Sequence, residues 1–265
     1  MAENTQLYNT SAAFKSRQAR IGNLLRELLE RDSFDMVHER YDFVADTAGT
    51  DDSETHRFLL NTGDDGTFGI ESVDTQNGVA ILAASTGAGS SGERGSISQG
   101  LMCKGNQNPV LAVRFANNGT ATRKMEIGFT DVGTDAGAVN DLSANTMTAA
   151  NAAILVRDTS DTNLWQLVGA KAGTPPTKIE PTSSELAAFA ADTYYTAVVA
   201  IKDSSARFVM FNANGHELYD SGWHADFITS TTAITPWICN QLRGSVDSHM
   251  SIDFIEYWWR RSSSN

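Results

Sequence analysis

Proline is scarce in this chain: five in 265 residues, at positions 109, 175, 176, 181 and 236. Cysteine is scarcer, with only Cys103 and Cys239. Two cysteines cannot build a disulfide framework, and no Cys-x-x-Cys spacing offers a zinc site. They are expected as reduced, half-buried thiols. The five histidines, at 38, 56, 216, 224 and 249, include no His-x-x-x-His pair. No Gly-x-Ser-x-Gly elbow exists, so a serine hydrolase has no support. No apolar run approaches the length needed to span a bilayer. The opening MAENTQLYNT lacks the apolar core of a secretory signal. Synthesis in a cytoplasm and no membrane partner are therefore expected. Basic residues are also in short supply, 20 against 32 acidic, for a net charge of −12. That balance disfavours nucleic acid as a partner, because phosphate binding needs a basic surface.

What is present is mostly strand. Thr193 to Gly215 reads TYYTAVVAIKDSSARFVMFNANG. Tyr195, Ala197, Val199 and Ile201 alternate with Tyr194, Thr196, Val198 and Ala200, the period-two signal of a half-buried strand. Asp203-Ser204-Ser205 turns the chain. Arg207, Val209 and Phe211 then face one way, Phe208, Met210 and Asn212 the other. Asn214-Gly215 makes the next turn, since both tolerate positive φ. Similar short strands are expected at 36–44, 55–62, 67–72, 78–85, 94–103, 109–116, 122–132, 151–158, 164–171, 222–227, 235–242 and 249–261. Residues 133–147 read as a loop of small and acidic residues, and 172–192 as a long connection with one helical turn. There is no internal repeat. Many strands divided by turns predict an all-β sandwich of two antiparallel sheets.

One segment breaks this pattern. Residues 13–31 place Phe14, Ile21, Leu24, Leu25 and Leu28 on one face at three- and four-residue spacing, which predicts an amphipathic helix. Lys15, Arg17, Arg20, Arg26 and Arg31 make it basic in an acidic protein. Two roles are open: a helix packed on its own sandwich, or a docking element for a partner. In the second role Phe14, Arg17, Arg20, Ile21, Leu24, Leu25 and Leu28 form the partner-binding face. Residues 1–33 are thus read as an arm and helix, and 34–265 as the sandwich.

The stretch TYYTAVVAIKDSSARFVMFNANGHELYDSG and the closing SIDFIEYWW resemble the sheet core and final strand of concanavalin A-like lectin/glucanase domains. RKMEIGFTDVGTDAGAVNDL, followed by ILVRDTSDTNLWQLVGA, is similar to the jelly-roll domains of tailed-phage virion proteins. The resemblance spans 35–260. It implies a jelly roll of two curved sheets, used in phages for capsid decoration, fibres and receptor-binding tips.

A glucanase of this family needs two carboxylates on one strand face, two or four residues apart. On the matching strand, Glu126 shares its face with Gly128 and Thr130, so the second acid is missing. Glu126 is expected as a polar residue in a groove, with no catalytic residue in the chain. Glu126→Gln should leave the fold intact. Sugar binding without catalysis needs aromatic platforms beside polar groups, for which Trp165, Trp223 and Trp237 are candidates, as is whichever of Trp258 and Trp259 faces outward. Asp131, Asp135, Asn140 and Asp141 offer hard oxygen ligands in one loop, but their spacing fits no EF-hand. No metal and no cofactor are expected. The functional expectation is a non-enzymatic virion structural protein, a decoration or cement protein on the major capsid protein and a homo-oligomer, with a trimer preferred. The alternatives are a glycan-binding adhesin of a fibre or tail and a glycoside hydrolase.

Overall fold

Alternation of apolar and polar residues puts one set of side chains between two sheets and the other set outside. The computed structural model describes residues 35–41, 59–63, 67–71, 79–84, 93–117, 122–132, 137–162, 164–172, 176–182, 186, 190–244 and 249–262. The strands in chain order are β1 (Met36–Tyr41), β2 (Leu59–Gly63), β3 (Thr67–Glu71), β4 (Val79–Ala83), β5 (Arg94–Ser98), β6 (Cys103–Lys104), β7 (Val110–Asn117), β8 (Arg123–Thr130) and β9 (Val139–Asp141). They continue as β10 (Thr146–Met147), β11 (Ala152–Asp158), β12 (Trp165–Ala170), β13 (Thr177–Ile179), β14 (Tyr195–Lys202), β15 (Ser205–Phe211), β16 (Glu217–Asp220), β17 (Ala233–Leu242) and β18 (His249–Arg260).

The first sheet has the order β16-β15-β14-β7-β18-β4-β3, with β1 also paired to β18. The second has the order β13-β12-β11-β8-β17-β5-β2, with β6 also paired to β17. All pairings among the described residues are antiparallel. Phe115, Val199, Phe208 and Tyr257 of the first sheet meet Ile127, Phe129, Leu155, Trp165 and Ile238 of the second in one core. The expected alternation in β14 and β15 holds: Ala197, Val199, Ile201, Phe208 and Met210 point into this core, and Val198, Ala200, Val209 and Phe211 point outward. Adjacent Trp258 and Trp259 divide likewise, Trp259 inward and Trp258 outward.

Three details depart from the sequence expectation. The loop at 133–147 contains a small hairpin, β9 with β10. The connection at 172–192 carries β13 as an edge strand on β12. Residues 222–227 make only an isolated bridge, Ala206 to His224, past the turn at Gly222, where φ is 66°. The sequence-derived helix at 13–31 lies outside the described residues.

Both cysteines are free and fully buried, more so than expected. Burial pushes both thiols up, Cys239 to about 12, with the nearby Glu126 carboxylate adding to the effect. The native protein should therefore resist a thiol reagent at mildly alkaline pH and react at both positions only in denaturant. Rapid labelling of the native state, followed spectrophotometrically, would contradict this packing.

Candidate functional site

The strand that would carry a glucanase's acids is β8, central in the second sheet between β11 and β17. Met125, Ile127 and Phe129 enter the core, so Lys124, Glu126, Gly128 and Thr130 occupy the outer face. That face is not an open groove at Glu126. The segment after β8 folds back over it, and Ala138, Val139, Leu142 and Ala149 pack on Ile154, Val156, Val168, Trp237 and Cys239.

Glu126 is the polar centre of this second apolar layer and is 0% exposed. Its Oε1 accepts from Lys124 Nζ at 2.8 Å and from the Val139 amide at 3.0 Å. Its Oε2 accepts from Trp237 Nε1 at 2.6 Å and from the Ala138 amide at 2.9 Å. Lys124 Nζ also donates to the Val139 carbonyl. A carboxylate taking four hydrogen bonds, two from backbone amides, is a structural clamp on the returning loop. Gly128 lies opposite Trp237 in this layer, and a Cβ there would collide with the Ala153 carbonyl oxygen. The expectation of Glu126 as a groove residue is therefore corrected: its register puts it beneath residues 138–149, where no ligand reaches it.

The tryptophans divide by depth. Trp165 lies in the core between the sheets, fully buried, its ring edge-on to Phe115 at 5.6 Å. Trp237 is equally buried and spends its N–H on Glu126. Neither is a sugar platform, because each points into an apolar layer rather than to solvent. Trp223 alone of the ligand candidates keeps part of its surface exposed.

Trp223 follows the edge strand β16. Beside it, Arg207 makes a two-pronged ion pair with Asp220, Nε to Oδ1 at 2.9 Å and Nη2 to Oδ2 at 2.6 Å. The Arg207 guanidinium also sits over the Trp223 ring, 6.0 Å from its centroid. Asp220 Oδ1 takes the Gly222 amide at 3.0 Å, which fixes the turn that delivers Trp223. Gly222 has φ of 66° and open space around it, so the turn itself selects glycine. Leu218 of the neighbouring β16 is 40% exposed. An indole face beside a held carboxylate and guanidinium can stack on an apolar ring face and bond adjacent hydroxyls. Arg207 and Asp220 are not among the residues expected at a ligand site from the sequence. Their signal was a cross-strand charge pair one hairpin apart.

Asp131 and Asp141 are engaged locally, Asp131 with Asn151 and Asp141 with Ser143 and the Ala144 amide. Among the described residues no cluster of three or more His, Cys, Asp or Glu side chains could hold a metal ion. No helix among them is long and apolar enough to cross a membrane. The sequence-derived partner face, Phe14, Arg17, Arg20, Ile21, Leu24, Leu25 and Leu28, lies outside the described residues, as does Asp135.

No family model matches the chain, and no curated protein matches it either. Solved structures do. A CBM2 module of the evolved Dit protein of Lactobacillus casei BL23 phage J-1 aligns with a TM-score of 0.52 at 13% identity, covering 87% of this chain and 99% of that one. Peanut lectin aligns at 0.52 and 9% identity, covering 84% and 97%. A Bacillus licheniformis β-glucanase aligns at 0.51 and 11% identity, covering 83% and 97%. At such identities the likeness is one of architecture, and it establishes the concanavalin A-like jelly roll.

Proposed function

We propose that the chain is a non-enzymatic carbohydrate-recognition module carried on a tailed-phage virion protein. The observation that carries this reading is the strip of Trp223, Arg207 and Asp220, an aromatic face with a fixed polar pair at its side. The fold adds support, since lectins and a phage carbohydrate-binding module match it over nearly their whole length. A sugar ring stacks on Trp223 while neighbouring hydroxyls bond the Asp220 carboxylate and the Arg207 guanidinium. Hydrolysis is disfavoured because Glu126 is engaged as a clamp, and the positions two and four residues on are Gly128 and Thr130.

The test is calorimetry or a glycan array with bacterial surface polysaccharides. The native chain should bind without releasing reducing ends, and Trp223→Ala should weaken binding by about tenfold or more. Equal binding by the variant, or none by the native chain at millimolar sugar, would defeat the reading. A decoration or cement role on the major capsid protein, as a homotrimer on the capsid surface, is the second reading. It is favoured by one observation, the concentration of basic residues in 13–31 of a chain with net charge −12. Copy number separates the two, because a coat protein is present in hundreds per particle and a tip protein in a few.

A further inference from the structure

The outer face of the first sheet carries an apolar trough. Its floor is Val110 and Ala112 of β7 with Val198 and Ala200 of β14. One wall is Phe254 and Trp258 of β18, the other Val209 and Phe211 of β15. The small floor side chains and large wall side chains make it concave. The walls stand three strand spacings apart, about 14 Å, wide enough to seat a helix of about 10 Å diameter. Polar pairs bound it: Arg114 with Asp253, Arg40 and His38 with Glu256, and Arg207 with Asp220. His38 stacks flat on Trp258 at 5.1 Å.

Val110, Ala112 and Ala200 are 0% exposed. A sheet face open to water would not leave floor residues so small without contact with solvent. Yet the partly buried apolar residues packed against it, among the described residues, are only Met36 and Trp223. Met36 begins β1, where it pairs with Arg260 beside Trp258. The chain therefore enters the sandwich at the rim of the trough.

We propose that residues 13–31 of this same chain occupy the trough as a helix. Phe14, Ile21, Leu24, Leu25 and Leu28 cover an arc of about 100° on a helix, matching one concave face. Ile21 to Leu28 rises about 10 Å, against about 13 Å along the strand from Phe254 to Trp258. The segment ends a few residues before Met36, so reaching the trough needs no long linker. This assigns the apolar residues to an intramolecular role and leaves a partner only what the docked helix turns outward. The glycan strip overlaps the trough only at its margin, at Trp223 and the Arg207–Asp220 pair.

The test uses the full chain and hydrogen exchange read by mass spectrometry. Peptides covering 13–31 should exchange slowly in the native protein. They should exchange at least about tenfold faster both in L24D/L25D, which alters only the segment, and in A200W, which fills the floor without touching the core between the sheets. That protection should be unchanged when the exchange is repeated on diluted protein. Fast exchange in the native chain would overturn the proposal. So would protection that survives A200W when L24D/L25D abolishes it, since the helix would then sit elsewhere. Protection lost on dilution would overturn it in favour of a second copy lying in the trough.

Discussion

Glu126→Gln is expected to cost about 3–5 kcal/mol, the range for breaking one partner of a buried ion pair. The substitution removes the charge that Lys124, itself 1% exposed on its side chain, faces at 2.8 Å. It also turns an amide N–H₂ toward donors that were matched to an acceptor: Trp237 Nε1, the Ala138 and Val139 amides and the lysine. Against a total stability of about 5–15 kcal/mol for a domain, the loss is large. Urea denaturation followed by tryptophan fluorescence measures it. The double variant K124M/E126Q should lose less than the sum of its single variants, because two neutral groups are buried together rather than one stranded charge. A Glu126→Gln protein within about 0.5 kcal/mol of native would show that the carboxylate is not enclosed. The result reverses the expectation that this substitution is silent. It also disqualifies Glu126→Gln as a catalytic control, since any lost activity would follow from lost structure.

Trp165→Ala is expected to cost about 3–5 kcal/mol as well, by emptying a large volume in the centre of the core. The ring is fully buried and packed edge-on to Phe115, and the rigid strands β11, β12 and β13 leave little room for collapse. Trp223→Ala, with part of its ring in water, should cost under about 1.5 kcal/mol. The same urea titration separates the two. If Trp165 proved the cheaper one to remove, the assignment of core and surface tryptophans would be inverted.

The architecture was legible because its signal is local. Alternation in Tyr195–Lys202 and Ser205–Phe211 needs only neighbouring residues to be read, and both strands formed with the faces it implies. The site was less legible because its meaning is set at a distance. Alternation correctly put Glu126 on the face with Gly128 and Thr130, but the lid over that face begins at Ala138. Its small residues read as solvated loop, although Ala138, Val139 and Leu142 are buried. Lys124, two residues before Glu126 on the same face, was the available clue to a clamp. Trp165, Trp223 and Trp237 have the same chemistry in isolation; Trp165 is buried by facing the core and Trp237 by the loop that covers the outer face, and neither cause is local to the residue.

One further consequence comes from the corner where β1 meets the end of β18. The Asp35 side chain accepts from the Ser262 amide at 2.9 Å and from Arg260 Nε at 3.3 Å, and its carbonyl takes the Arg261 amide at 2.6 Å. Gln107 Nε2 adds a bond to the Arg261 carbonyl at 2.9 Å. Residues 35 and 262 therefore leave the sandwich side by side. Antiparallel hydrogen bonds run across the strands, so tension applied between these two points opens Met36–Arg260 first, then Val37–Trp259, like a zipper. Tension between Asp35 and the far end of the sandwich instead loads the whole β1–β18 ladder at once, in shear. The module is thus mechanically polar: as a tether it is weak when pulled from one corner and strong when pulled along its length.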